Sequence, residues 1–162
     1  MSDPLAVYFA GEKQAGALCL AFGAAALAFS VWVWRAHAPF RAMAVPVALI
    51  GMLQLGIGVG LLARTDKQVA TLRADLASEP AGARAKELAR MDRVNAKFRI
   101  VKILEAVLIT GALVMVFGFR GRPAVTAVGL GVLVQSALML VFDIFAEHRA
   151  HIYTGWLRSV YI

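Results

Sequence analysis

The sequence predicts an all-α integral membrane protein, a bundle of four transmembrane helices with a cytoplasmic amphipathic helical hairpin between the second and third spans. Three observations support this fold class. Of the 162 residues, 60% are apolar and only 17% charged, against roughly 45–50% and 25% in soluble domains. The apolar residues form four stretches, each able to cross or nearly cross a hydrocarbon core about 30 Å thick. Most of the charges lie between the second and third stretches.

The apolar stretches place the four spans in order along the chain. The predicted transmembrane segments cover about residues 15–35, 42–63, 101–119 and 123–147, followed by an interfacial tail over residues 148–162. The spans occupy about half of the chain, so little remains for a water-soluble domain. We therefore expect a single membrane domain.

The distribution of basic residues predicts how the spans are oriented. Thirteen Lys or Arg residues lie before the first span, between the second and third, or after the fourth, whereas four lie on the other side. Because positively charged loops stay in the cytoplasm, we expect both termini and the long loop there. Arginine outnumbers lysine by 12 to 5 and alanine is abundant, which suggests a GC-rich bacterium and hence its inner membrane. Tyr153, Trp156 and Tyr161 would anchor the tail at the inner interface.

Residues 65–100 carry many charges but also a helical apolar pattern, which predicts the hairpin. Thr65 and Asp66 are residue types that favour a helix start, and the segment Glu79-Pro80-Ala81-Gly82 interrupts the pattern. The second helix meets no breaker before the third span, so we expect one rod over about residues 83–119. The apolar stripe of the hairpin consists of Val69, Leu72, Leu76, Leu88, Met91, Val94 and Phe98.

Two interpretations remain open for this apolar stripe. It can lie in an anionic lipid surface, where each nearby Lys or Arg contributes roughly 1 kcal/mol, or pack against the chain itself. Alternatively, it is a docking surface for a second copy of the chain or for another protein. Binding to nucleic acid is not expected, because acidic residues are interspersed and no recognised nucleic-acid-binding motif is present.

Small residues in the second span predict close helix packing. Gly56 and Gly60 are four residues apart, the spacing that lets helices approach closely in lipid. The packing could occur within the bundle or between protomers. The small residues expected to face this pair lie in the first and fourth spans: Gly16, Gly23, Ala24, Ala28, Ala127 and Gly131.

Two glutamines fall near the middle of their spans. Gln54 lies in the second span and Gln135 in the fourth. A buried amide in lipid needs a hydrogen-bond partner, so we expect the two side chains to bond each other. This would hold the helices together, whereas a role in a polar pathway is the alternative.

Ionisable residues near the inner ends of the third and fourth spans form the main candidate site. The members are Glu105, Asp143, Glu147, His148 and His151. Ionisable groups within a span are costly, so each is a functional hypothesis. Asp143 and Glu147 are one turn apart, and their repulsion favours a proton, a cation or a basic partner between them.

Three interpretations of this cluster remain open. The residues can form a proton or cation site, or Glu147, His148 and His151 can hold a metal ion weakly. The third interpretation is structural: Glu147 pairs with His151, while Lys102 or Arg149 neutralises Glu105. No other cofactor is expected, because Cys19 is the only cysteine and no motif for a nucleotide or haem is present.

The sequence favours a non-enzymatic inner-membrane protein that acts through helix contacts. Such a protein could be an accessory or regulatory subunit, or an immunity-type protein that neutralises a membrane-acting toxin. It would work with membrane lipids and either as a homo-oligomer or in a complex with another protein. The alternative is a small oligomeric transporter or channel coupled to protons or cations through the carboxylate and histidine cluster. A metal- or lipid-dependent enzyme is a third hypothesis.

Overall fold

The computed structural model describes residues 3–36 and 38–159, and this part of the chain is all-helical. The four long helices are α1 (Pro4–Ala36), α2 (Arg41–Ser78), α3 (Pro80–Gly118) and α4 (Pro123–Ser159), and a short 3-10 helix, Ala38–Phe40, precedes α2. Each long helix is long and apolar enough to cross a membrane. The predicted all-helical architecture with four helices of spanning length is therefore confirmed.

The helices are much longer than their apolar segments. They contain 33 to 39 residues, or about 50–58 Å at about 1.5 Å per residue. The additional turns all lie at one end of the bundle, where α1 begins, α2 meets α3 and α4 ends. We call this the basal end and the opposite end, between α3 and α4, the apical end.

The turn between α2 and α3 contains a single residue, Glu79, at the predicted break. Proline suits the first position of α3, where its missing N–H leaves no hydrogen bond unmade. The N–H of Glu79 donates to the carbonyl of Asp75 at 2.8 Å, and its carbonyl accepts from Ala83 at 3.0 Å. The turn is therefore closed by backbone hydrogen bonds on both sides.

The helices α2 and α4 continue beyond the predicted ends of the second and fourth spans. Thr65 does not start a new helix: its hydroxyl donates to the carbonyl of Leu61 at 2.6 Å, inside α2. Residues 65–100 are thus extensions of α2 and α3 and not a separate hairpin. Residues 148–159 likewise continue α4, where Tyr153 and Leu157 are buried. Of the predicted tail anchors, Tyr161 lies outside the described residues.

Small residues bring α1 and α2 into backbone contact along an antiparallel seam. A methyl group at Gly58 would lie 2.7 Å from the carbonyl oxygen of Gly16, and one at Gly23 would lie 2.8 Å from that of Gly51. Further along, the hydroxyl of Ser30 donates to a carbonyl of α2 at 2.6 Å. The glycines are seven residues apart on both helices, the repeat that keeps contacts on one seam of a left-handed pair.

The central position of α4 follows from two further glycines. Gly131 packs against α2, where a methyl group would lie 2.8 Å from Met43 Cγ, and Gly129 packs against α3, 2.8 Å from Met115 Cβ. Residues two apart on a helix point in directions about 200° apart. Within the apolar segments α4 therefore lies between α2 and α3, and α3 is at the edge of the bundle.

Apolar and aromatic side chains from all four helices form a core at the basal end. Tyr8 and Phe9 of α1 and Tyr153 of α4 lie at its centre, with ring centroids 4.5 to 6.2 Å apart. This basal core consists of Leu5, Tyr8, Phe9, Leu72, Met91, Ala150, Tyr153 and Leu157. It fixes the ends of the helices relative to one another below the apolar segments.

Candidate functional site

A pair of acidic side chains lies where α3 and α4 meet, near the basal limit of the apolar segments. Glu105 is only 5% exposed, and its carboxyl group is within hydrogen-bonding reach of Asp143. Two carboxyl groups can form such a bond only when one of them carries a proton. Oε2 of Glu105 is buried and has no hydrogen-bond partner in the described part of the chain. A direct bond between these two carboxyl groups would therefore require a proton on one of them.

A second acid lies one turn further towards the basal end and has a different partner. Lys102 donates to Glu147 Oε2 at 2.5 Å, and His151 Nε2 lies 3.7 Å from the other oxygen of the same carboxylate. The structural interpretation named Lys102 or Arg149 as the partner of Glu105, but Lys102 pairs with Glu147 instead. Glu147 is thus neutralised by a cation of α3, whereas Asp143 faces a second acid of that helix.

The metal hypothesis finds no ligand set in this structure. His148 follows Glu147 directly, which places it about 100° around the helix, and its side chain is exposed. Within residues 3–36 and 38–159 no three His, Cys, Asp or Glu side chains converge on one point. Glu147, His148 and His151 are therefore not brought together as metal ligands.

The two mid-span glutamines are in contact. Gln54 Nε2 donates to Gln135 Oε1 at 3.1 Å, joining α2 to α4, and Gln54 is fully buried. Oε1 of Gln54 is buried without a hydrogen-bond partner in the described residues. The pair lies about two turns of α4 beyond Asp143, and the contact is the one expected of structural amides in a membrane bundle.

The glycines of the second span that pack against α1 are not the pair that the sequence pattern indicated. A methyl group at Gly56 or Gly60 would meet no described atom within 4 Å, so neither packs inside the bundle. Gly51 and Gly58 make the contacts with α1, because α1 and α2 follow a seven-residue repeat and not a four-residue one. Gly131 does pack against α2, as expected. Whether Gly56 and Gly60 contact another protomer stays open.

The apolar stripe of residues 69–98 does not form a free surface. Leu72 and Met91 belong to the basal core, and the other members pack against it: Val69, Leu76, Leu88, Val94 and Phe98. The first turns of α1 and the last turns of α4 cover the stripe. Of the alternatives for this stripe, the structure therefore agrees with packing against the chain itself.

A buried ion pair in the basal core was not foreseen from the sequence. Glu87 is 7% exposed and accepts two hydrogen bonds from Arg90, at 2.8 and 2.7 Å. The hydroxyl of Tyr153 donates to Glu87 Oε1 at 3.2 Å, and the Tyr8 ring stacks on that of Tyr153. Only two features of the sequence could have indicated this ion pair: the three-residue spacing of Glu87 and Arg90, and their position beside the apolar stripe. We call these four residues the Glu87 network.

Burial and the charge of Glu87 shift the pKa values of the other members of this network. The network lies beyond the apolar segments, at the basal end. Burial raises the pKa of Tyr153, and the negative charge of Glu87 raises it further. Burial opposes the charge on Arg90, but the hydrogen bonds and charge of Glu87 outweigh it, so the pKa of Arg90 is raised. The network therefore pairs a permanent cation with a buried acid and neutral phenols.

Comparisons with known proteins found no relative of this chain. No family model matches the chain, and no curated protein or solved structure matches it significantly. The functional interpretation therefore rests on the arrangement of the four helices and their side chains.

Proposed function

We propose that this chain is a non-enzymatic multi-pass membrane protein that acts through helix contacts, as an accessory or regulatory subunit. Its α3 helix would contact a transmembrane helix of another protein. The observation that carries this proposal is the edge position of α3. In its apolar segment only Glu105 and Ala112 are buried, whereas α4 is packed on two sides.

The outward surface of α3 has the properties of a helix contact. Over about 26 Å of its length it carries exposed aliphatic and aromatic side chains, among them Ile103, Val107, Val114 and Phe117. Gly111 lies in the same segment, and a methyl group there would meet no described atom within 4 Å. A small residue on an apolar helix surface permits the close backbone approach by which helices associate in lipid.

The orientation of the bundle in the membrane is part of the same proposal. The basal end contains the beginning of α1, the α2–α3 turn and the end of α4, and thirteen of the seventeen Lys and Arg residues lie there or in the adjoining turns. By the positive-inside rule we place this end in the cytoplasm and the protein in the inner membrane of a bacterium.

Site-directed crosslinking in native membranes tests the role of α3. Cys19 is the only cysteine, so Cys19→Ala provides a background for single cysteines that carry a photoactivatable group. Val107→Cys on α3, where the side chain is 62% exposed, is compared with Leu53→Cys on α2, where it is 58% exposed. We expect a discrete adduct with another protein from position 107 only. Equal labelling from both positions, or adducts with lipid only, would count against the proposal.

A second candidate function is a small oligomeric transporter or channel coupled to protons or cations. The contact between Glu105 and Asp143 favours it, because a protonated carboxyl pair within a span is a common element of proton pathways. The backbones of α1 and α2 are in contact, which leaves no room for an ion pathway between these two helices. In this alternative the pathway would therefore form between protomers. In proteoliposomes with a pH-sensitive dye, Glu105→Gln and Asp143→Asn would then abolish flux. In an accessory subunit, both variants would leave partner binding unchanged.

A further inference from the structure

A cavity of about 370 Å³ lies between α2 and α3 at the basal end. Its volume is within the range of about 300–1,000 Å³ that is typical of small-molecule sites. Phe9 and Leu72, two members of the basal core, form part of its wall. Most of the other lining residues are polar or charged, and their carbon atoms make the wall mainly apolar. The cavity is separate from the carboxyl pair and from the outward surface of α3.

The charges around this cavity are unbalanced. Five basic side chains line it, against the two acids Asp75 and Glu87. Both acids already have partners: Lys86 lies 3.7 Å from Asp75, and Arg90 lies 2.7 Å from Glu87. The three other cations have no carboxylate within 4 Å in the described residues, namely Arg64, Lys67 and Arg93. The cavity therefore presents an uncompensated positive charge from both helices.

The position of the cavity along α2 suits a group at the membrane surface. Arg64 directly follows the charge-free segment of residues 42–63, and Lys67 is one turn further. Basic pockets between helices at this level are typical sites for the headgroups of anionic lipids. Guanidinium groups such as those of Arg64 and Arg93 can bind two phosphate oxygens at once.

We propose that this cavity binds a phosphate-bearing anion through Arg64, Lys67 and Arg93. The phosphodiester group of phosphatidylglycerol has this chemistry, and so does the phosphate of soluble glycerol 3-phosphate. The inference is independent of the partner proposed for α3, because the two sites share no residue.

Lipid binding to the full-length, delipidated protein tests the proposal. Native mass spectrometry would count the phosphatidylglycerol and phosphatidylcholine molecules retained by the wild type and by two double variants. Lys67→Gln with Arg93→Gln removes two cavity cations. Lys97→Gln with Arg99→Gln removes the same two residue types from exposed positions of α3 outside the cavity. Thermal unfolding of each variant without ligand confirms that it is folded.

The expected result is preferential binding of one phosphatidylglycerol that the cavity variant weakens about thirtyfold, as about 1 kcal/mol for each of two cations implies. The Lys97 and Arg99 variant should bind like the wild type. Competition by soluble glycerol 3-phosphate at similar affinity would assign the site to a soluble ligand, and its absence would assign the site to lipid. Equal binding by both double variants, or equal retention of both lipids, would overturn the proposal.

Discussion

The side-chain amide of Gln54 donates a hydrogen bond of 3.1 Å to Gln135, connecting α2 to α4 between residues that are 81 positions apart in the sequence. Both side chains are buried. The contact lies in the same helix pair as the packing of Gly131 against Met43. Together the two contacts fix α4 against the α1–α2 pair, so that α3 is the helix left at the edge.

Removing one member of this pair should cost more than removing both. Gln135→Leu leaves the amide of Gln54 buried without its partner, and we expect a loss of about 1–2 kcal/mol in the free energy of unfolding. Adding Gln54→Leu removes the orphaned group and should recover part of this loss. Denaturation in mixed micelles measures the complete double-mutant cycle. Additive losses would show that the two amides do not interact.

The glycines of α2 provide a matched pair of substitutions. Gly58→Ala places a methyl group 2.7 Å from a backbone oxygen of α1, whereas Gly56→Ala meets no described atom within 4 Å. Forcing α1 and α2 apart should cost about 1–3 kcal/mol, and Gly56→Ala should be close to neutral. Thermal unfolding in detergent distinguishes them. The reverse order of stabilities would refute the seven-residue seam.

The Glu87 network should be sensitive to the loss of its cation. Arg90→Met leaves Glu87 buried and unpaired, for which we expect a loss of about 3–5 kcal/mol. Adding Glu87→Gln in the same chain removes the buried charge and should restore a large part of the stability. Urea or guanidinium unfolding followed by circular dichroism gives both values. If the second substitution restores nothing, the ion pair is not the source of the loss.

The buried phenols predict how stability changes in alkaline solution. Burial raises the pKa of Tyr8 and of Tyr153, so the folded protein holds these protons more tightly than the unfolded chain. Their contribution is complete below the ordinary tyrosine pKa of about 10 and is lost as the pH rises above it. Tyr153→Phe should flatten this decline. In a Tyr161→Phe background, tyrosinate absorbance would show whether both phenols resist titration until the protein unfolds.

The sequence predicted those features that depend on local pattern. The four apolar segments predicted the four helices, and Pro80 predicted the turn between α2 and α3. The similar depth of two amides in the membrane predicted the contact between Gln54 and Gln135. Glu105 and Asp143 were also expected at similar depth. Each of these predictions needs only helix length, a helix breaker or the depth of a polar residue in the membrane.

The features that were missed depend on which helices are neighbours. A glycine pair such as Gly56 and Gly60 resembles a packing motif, but helix rotation decides whether it faces a neighbour. The stripe that includes Leu72 and Met91 indicated an apolar contact without showing that α1 and α4 are long enough to provide it. The Glu87 network was hidden for the same reason, since Tyr8 and Tyr153 join it from opposite ends of the chain.

The most direct test of the role of α3 is native mass spectrometry of complexes extracted gently from the membranes in which the protein is made. Gly111 and Gly60 are both open positions, so Gly111→Leu and Gly60→Leu should each leave the fold intact. We predict that the wild type and Gly60→Leu retain a foreign protein chain at a fixed ratio and that Gly111→Leu loses it. A wild-type spectrum with only copies of this chain, or a complex that survives Gly111→Leu, would contradict the account.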